Sequence, residues 1–142
     1  MLVTVLTASG CGTDPEKRYA ATLDGVCADV RSALTAYADA ATRPVKDGGQ
    51  NQRLTETVQQ VARTFTRGAS GLRDADPPGA FAAFNASTAD GLQTAGTRLR
   101  EIAAAPATDA DELLDATQNA LGALEAPEPP PGLEARAPRC RA

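Results

Sequence analysis

Few residue types in this sequence could do covalent or metal chemistry, and the cysteines stand out among them. The 142-residue chain contains three cysteines, Cys11, Cys27 and Cys140, and no histidine. Without histidine the chain lacks the commonest general base and the commonest metal ligand, so serine–histidine and cysteine–histidine catalysis are excluded. Its only methionine is Met1, which also disfavours haem ligation. The sequence therefore predicts no catalytic residue, no metal site and no cofactor.

The carboxylates form one local cluster, at Asp109, Asp111, Glu112 and Asp115. A calcium loop would need glycine at its sixth position, where Leu114 stands instead. Acidic side chains are favoured in the first turn of a helix by the helix dipole, and Asp109 and Glu112 have the spacing of a capping box. We therefore interpret the cluster as a helix start. A hydrolase that uses only carboxylates is kept as a distant alternative.

Cys11 ends a short apolar segment that closes with the small residues Ala8, Ser9 and Gly10. This segment resembles the lipobox of bacterial exported lipoproteins, although Ala8 stands where leucine is usual. The resemblance covers the first eleven residues. It implies that Cys11 receives a diacylglycerol, becomes the mature N-terminus after cleavage, and anchors the protein on the extracytoplasmic face of the cell membrane.

The segment before Cys11 is short for a signal peptide, which normally runs about 15 to 30 residues and carries a basic stretch. Only ten residues precede Cys11 and none of them is charged. We therefore expect residues 1–10 to be a truncated signal segment, with the true start upstream, and residues 11–14 to be a tether. The alternative is a buried strand that ends in an ordinary cysteine. The polar residues 12–18 that follow exclude a membrane-spanning helix at this position.

If Cys11 is acylated, Cys27 and Cys140 remain, and an oxidising location favours a disulfide between them. Cys27 lies about 20 Å along the first predicted helix, and the tail that carries Cys140 reaches about 40 Å when extended. Such a bond closes a loop of over a hundred residues, for which the chain-entropy model gives about 4–5 kcal/mol. The alternative is two free thiols.

Apolar residues spaced three and four apart predict four helices, over residues 15–41, 54–73, 80–104 and 109–125. Asp14 is the expected N-cap of the first helix. The stripe of the first helix comprises Tyr19, Leu23, Val26, Val30, Ala33, Tyr37 and Ala40. The stripe of the third comprises Phe81, Phe84, Thr88, Leu92, Ala95, Leu99 and Ile102, with Thr88 as an interruption.

Three other motifs have simple structural interpretations. Residues 68–71 (Gly-Ala-Ser-Gly) lack the glycine and the strand of a nucleophile elbow, and their small side chains favour close helix packing. The glycosylation sequon at Asn85 falls in a predicted helix and is interpreted as accidental. The polar loop 47–52 is interpreted as a connector.

These elements predict an all-α fold, an up-down-up-down four-helix bundle over residues 15–125 with an extended Pro-rich C-terminal tail over residues 126–142. A three-helix arrangement with a peripheral fourth helix is the alternative. Loops between the helices are short, which favours antiparallel neighbours.

The net charge is −4, and no basic stripe exists to neutralise phosphates, so nucleic acid is not an expected partner. Twelve arginines against two lysines indicate a GC-rich genome. The chain resembles small helical lipoproteins of actinobacteria. We expect a lipid-anchored, extracytoplasmic helical module of the cell envelope that binds or scaffolds an envelope protein or a small ligand, and we expect no enzyme activity. The alternative is a solute or lipid carrier with a pocket between helices.

Overall fold

The computed structural model describes residues 14–43, 45, 49–106 and 109–141. In these ranges every regular element is helical, and the long helices are α1 (Pro15–Thr42), α2 (Gln50–Asp74), α3 (Ala82–Ala104) and α4 (Ala110–Gly122). A short helix, α5 (Leu133–Arg136), and 3-10 turns at Gly79–Phe81 and Pro138–Cys140 complete the described elements. The four long helices pack together, which confirms the predicted all-helical class and the helical bundle.

Polar side chains fix two helix starts where the sequence predicts them. An Asp14 carboxylate oxygen accepts a hydrogen bond from the backbone N–H of Glu16 at 3.1 Å, with Pro15 in the first turn. An Asp109 oxygen accepts from the N–H of Glu112 at 2.9 Å. Each cap gives a partner to an N–H that the helix itself cannot satisfy, so both predictions of an N-cap are confirmed.

The predicted start of α2 at Leu54 is one helical turn too late, because α2 begins at Gln50. The amide of Gln50 bridges the end of α1 to the start of α2. Its nitrogen donates to the carbonyl of Ala40 at 2.8 Å, and its oxygen accepts from the N–H of Val45 at 3.3 Å. The side chain thus satisfies backbone groups that the loop would leave open, and it supports the additional turn.

The core is centred on α2, which packs against α1, α3 and α4. Its fully enclosed side chains are Leu54, Val58, Val61, Phe65 and Leu72. The interface between α2 and α3 is close, because Gly96 brings the α3 backbone against α2. A methyl group on Gly96 would lie 2.8 Å from Thr66 Oγ1 and 3.1 Å from the carbonyl oxygen of Ala62.

The apolar stripe of α1 is buried only at its two ends. Tyr19 and Leu23 near the start, and Tyr37 near the end, are each less than a tenth exposed. Val26 and Val30 in the middle are half-buried and lie at the edge of the core. The predicted stripe is therefore continuous in sequence, but its middle turns are only partly covered.

The buried face of α3 agrees with the predicted stripe over its middle turns and is displaced by one residue near both ends. Phe81, Leu92, Ala95 and Leu99 are buried as predicted, and the adjacent buried positions are Asn85, Ala89 and Ala103. Phe84, Thr88 and Ile102, which the sequence places in the stripe, are only half-buried. At the start of α3 the buried position is taken by Asn85, whose amide nitrogen donates to the carbonyl of Leu72 at 2.9 Å near the end of α2.

The C-terminal tail is not extended throughout, which corrects the prediction for residues 126–142. Gly132 adopts a positive φ of 83° and turns the chain into α5. Leu133 and Ala137 are then buried at 0% and 1% exposure. These two apolar contacts return the tail to the bundle, where α5 and the following 3-10 turn lie against α1. Helix α4 ends at Gly122, short of the predicted Glu125.

Candidate functional site

A cavity of about 800 Å³ opens between α1, α3 and the tail. Its lining is mostly apolar. Helix α1 contributes Leu23, Val26, Cys27, Val30, Arg31, Leu34, Thr35 and Ala38, and α3 contributes Phe84, Thr88, Gly91 and Leu92. The tail contributes Leu124, Glu125, Ala126, Pro127, Glu128, Pro129, Leu133, Glu134, Ala137, Arg139, Cys140 and Arg141. In volume and in lining this cavity is typical of small-molecule binding sites, which span about 300–1,000 Å³.

The cavity lies between two helix faces that are apolar and only partly covered by other helices. The middle of α1 presents Val26 and Val30, and the start of α3 presents Phe84 and Thr88. Gly68 of α2 lies between the two helices, since a methyl group there would approach Val26 Cγ1 to 2.9 Å and Leu92 Cδ1 to 3.5 Å. From Leu23 to Ala38 the α1 wall is about 22 Å long at 1.5 Å per residue.

The outer wall of the cavity is the tail, and Arg139 ties it to α1. The Arg139 backbone N–H donates to Oδ1 of Asp24 at 2.8 Å, and Arg139 Nε donates to Oδ2 at 2.6 Å. The Asp24 side chain is 12% exposed, whereas that of Arg139 is 57% exposed. The hydrogen bond from the Arg139 backbone is the main cause that lowers the pKa of Asp24; partial burial opposes it and the guanidinium adds to it.

Further contacts fix the tail on both sides of Arg139. The Arg31 guanidinium donates to the carbonyl of Arg141, and Arg136 forms an ion pair with Glu16 at the start of α1. The sulphur atoms of Cys27 and Cys140 lie 2.06 Å apart, at disulfide distance, with 5.0 Å between the Cα atoms. The structure thus brings together the two cysteines that the sequence pairs, although 113 positions separate them.

Charges around the cavity balance. Three arginines (Arg31, Arg139 and Arg141) and three glutamates (Glu125, Glu128 and Glu134) are among its lining residues. Arg139 is engaged by Asp24, and Arg31 by a backbone carbonyl. The lining therefore combines an apolar interior with charged groups of both signs, and it carries no net charge that would select a strongly charged ligand.

Three buried hydroxyl groups lie outside the cavity. Burial raises the pKa of Tyr19 to about 12, and its ring stacks on Phe81 at 5.8 Å between centroids. Burial also raises the pKa of Tyr37, an effect that the Thr117 hydroxyl partly offsets. Among the described residues, none of these hydroxyl groups has a hydrogen-bond partner of normal geometry. Tyr19, Tyr37 and Thr117 are all buried and none of them lines the cavity, so they do not extend the candidate site.

The remaining sequence predictions fall in different places. Cys11 and the segments 1–10 and 11–13 lie outside the described residues. The acidic cluster at the start of α4 is exposed, and Asp109 acts as the cap. In the described ranges no group of three or more potential metal ligands occurs. The sequence left a pocket between helices as an alternative but did not show which residues line it, and it missed buried Asn85, because spacing alone does not show which half-buried faces meet.

The comparisons add no relative: no protein-family model, no curated protein and no solved structure matches this chain. Over the part of the chain that the structure covers, every helix is too short or too polar to cross a membrane.

Proposed function

We propose that the protein is a lipid-anchored binding protein of the cell envelope, held by acylated Cys11 on the extracytoplasmic face, whose cavity holds the acyl chain of a single-chain lipid. The observation that carries this proposal is the apolar cavity of about 800 Å³ between α1, α3 and the tail. It favours the carrier among the functions that the sequence leaves open, since a carrier is the one that requires such a space.

The shape of the cavity supports a long, unbranched ligand. The α1 wall runs about 22 Å, and apolar side chains, such as Val26, Val30 and Leu34, follow one another along it. Burying apolar surface contributes about 25 cal/mol per Å², so a chain that lies along this wall gains affinity along its whole length. A polar head group would remain at the open side, near the balanced charges of the rim.

We also propose that the helices alternate in direction, as in an up-down-up-down bundle. Gln50 contacts Ala40, and Gly68 lies beside Val26, so the start of α2 lies near the end of α1. Arg73 pairs with Asp90 at 2.9 Å, and this contact supports the same relation between α2 and α3. In this arrangement α1 and α3 both pack on α2 and point in the same direction, and the cavity is the space left between them.

Fluorescent fatty-acid titration tests the ligand proposal. The full chain carrying Cys11→Ser, which removes the acylation site, is titrated with cis-parinaric acid. We expect saturable binding with one site per chain. Val30→Glu places a carboxylate on the cavity wall and should weaken binding at least tenfold, about 1.4 kcal/mol or more. The matched control is Ala36→Glu, at an exposed position of α1 outside the lining.

Three outcomes would contradict the ligand proposal. The first is no saturable binding, and the second is equal weakening by Val30→Glu and Ala36→Glu. The third is a probe that binds Cys11→Ser protein but not protein purified with its lipid from membranes, because the occupant would then be the chain's own acyl group.

Mass spectrometry of the membrane-extracted protein tests the anchor. We expect a chain that begins at acylated Cys11, and a cytosolic chain with unmodified Met1 would refute it.

A further inference from the structure

The last described residues, 138–141, form part of the cavity wall and are held by three different interactions. Asp24 accepts two hydrogen bonds from Arg139, Cys27 is bonded to Cys140, and Arg31 donates to the carbonyl of Arg141. The three α1 partners stand at positions i, i+3 and i+7, which share one face of a helix. We call residues 138–141 the latch segment.

The rest of the tail has its own attachment, so the latch segment can leave without it. Leu133 is fully buried and Ala137 is 1% exposed. Arg136 forms an ion pair with Glu16 near the start of α1. These contacts precede the latch segment and do not involve it. Release of residues 138–141 would therefore pivot at Ala137 and leave α5 in place.

Of the three interactions that hold the latch segment, only the disulfide is covalent. Arg139 is 57% exposed in its side chain, and Arg31 and Arg141 are exposed. The Asp24 side chain is 12% exposed, so its two hydrogen bonds from Arg139 are partly protected from water. Water still competes for the exposed guanidinium groups of Arg139 and Arg31, so these contacts can break and reform without chemistry. The bond between Cys27 and Cys140 is therefore the one contact of the three that keeps the segment on α1 while the others break and reform. Cys140 is exposed, so a dissolved thiol can approach it.

We propose that the latch segment is a redox-controlled gate, so that reduction of the Cys27–Cys140 disulfide by a dithiol opens the cavity and speeds ligand release. This inference rests on the proposed function. A thiolate of the dithiol attacks Cys140 Sγ, the S–S bond breaks, and Cys27 leaves as a thiolate that takes up a proton. The second thiol of the reductant then displaces Cys140 from the mixed disulfide. The dithiol becomes a disulfide, and its two electrons reduce the protein to two thiols.

A tryptophan reporter follows the gate without any ligand. The chain contains no tryptophan, so Phe84→Trp in the full-length Cys11→Ser protein places a single reporter on the cavity lining. We expect acrylamide quenching of this tryptophan to rise at least twofold when dithiothreitol reduces the protein. The matched reporter Phe81→Trp lies in the buried core outside the lining, and its quenching should stay the same. Circular dichroism should show unchanged helix content.

The dissociation rate of cis-parinaric acid gives the second measurement. We expect it to rise at least tenfold in reduced protein, and equally in a Cys27→Ser/Cys140→Ser protein, which excludes a direct effect of the reductant. If the probe binds but quenching and dissociation do not respond to reduction, the gate is refuted and the proposed function stands. If quenching at position 84 rises but no probe binds in either state, the gate moves as proposed and the ligand proposal fails. Loss of helix content on reduction would refute the gate, because the bond would then hold the whole fold.

Discussion

Gly96→Ala is the sharpest test of the close packing between α2 and α3. The new methyl group would lie 2.8 Å from Thr66 Oγ1 and 3.1 Å from the carbonyl oxygen of Ala62. Thr66 cannot turn away freely, since its hydroxyl donates to Ala62 at 2.9 Å and accepts from Arg100 at 3.1 Å. Alanine gains about 1 kcal/mol over glycine in a helix interior. Overpacking costs about 1–3 kcal/mol, and since backbone atoms are involved here we expect a net loss of about 1–2 kcal/mol.

Gly68→Ala meets an equally short distance but should behave differently. Its methyl group would lie 2.9 Å from Cγ1 of Val26, which is a side-chain atom at the cavity edge. Val26 can move into the open space, so we expect the free energy of unfolding to stay within about 0.5 kcal/mol of the parent protein. Gly25→Ala is the control, because a methyl group there meets nothing within 4 Å. It should stabilise the protein by about 0.5–1 kcal/mol.

The assay is urea unfolding of the three oxidised proteins, with thermal unfolding as a check. At this chain length 1 kcal/mol corresponds to about 3 °C in Tm. We expect the order of stability Gly25→Ala, then Gly68→Ala, then Gly96→Ala. Equal gains at positions 25 and 96 would refute the close contact between α2 and α3. A loss at position 68 as large as the loss at position 96 would mean that Val26 has no space to enter, and this result would refute the cavity.

Three further predictions concern the tail, acid and alkali. Leu133 is fully buried, so Leu133→Ala should lower the free energy of unfolding by about 2–5 kcal/mol in urea titrations. Glu134 is exposed, and Glu134→Ala should change that free energy by under about 0.5 kcal/mol. A loss below about 1 kcal/mol for Leu133→Ala would contradict the role of Leu133 as the tail anchor. The pKa of Asp24 is lowered in the folded state, so the stability that its carboxylate contributes is present above the ordinary aspartate pKa of about 4 and is lost as pH falls through the lowered value. The parent protein should therefore lose more stability in acid than Asp24→Asn does. Urea midpoints of the two proteins that run parallel from pH 6 to pH 2 would refute this. Burial raises the pKa of Tyr19 to about 12, so the stability that its neutral phenol contributes is present below the ordinary tyrosine pKa of about 10 and is lost as pH rises towards about 12. Absorbance at 295 nm should therefore show less phenolate at pH 11 in native than in urea-unfolded protein. Equal absorbance would contradict this.

Spacing predicts the helices well because an amphipathic stripe is a local property of the sequence. It fails at the start of α2, where the amide of Gln50 contacts Ala40 and Val45 of the preceding helix and loop. A polar residue that precedes the first apolar position of a helix is predicted to lie in the loop, because the sequence does not show its hydrogen-bond partners. The missing turn is therefore a tertiary effect, decided by hydrogen bonds across the connection.

The face of α3 fails for a related reason. Spacing treats Asn85 as a surface residue and assigns Phe84 to the core, whereas Asn85 is buried on the carbonyl of Leu72 and Phe84 lines the cavity. A buried amide is tolerated because its donor is satisfied. The local sequence does not show that the carbonyl of Leu72 will accept this hydrogen bond. Spacing alone therefore cannot predict that the buried position is 85 and not 84.

The disulfide could be inferred from cysteine count and reach, but the cavity could not. Val26 and Val30 belong to the same apolar stripe as Leu23, and nothing in their spacing distinguishes half-covered from buried positions. The distinction depends on α3 and on a tail more than a hundred residues away. A stripe shows that a face is apolar, whereas the long-range contacts determine what covers it.

The proposed gate links the disulfide to the cavity by thermodynamics as well as by position. Cys27 and Cys140 both line the cavity, so the bond closes the same wall that a ligand would contact. If reduction weakens the equilibrium binding of a fatty acid by some factor, the bound fatty acid must disfavour reduction by the same factor, because the coupling free energy between two binding or bonding events is reciprocal. Under this proposal a ligand that fills the cavity protects the disulfide against reduction. A disulfide that only restricts the unfolded chain would give no such protection, because its reduction would not change the contacts of the folded protein with the ligand.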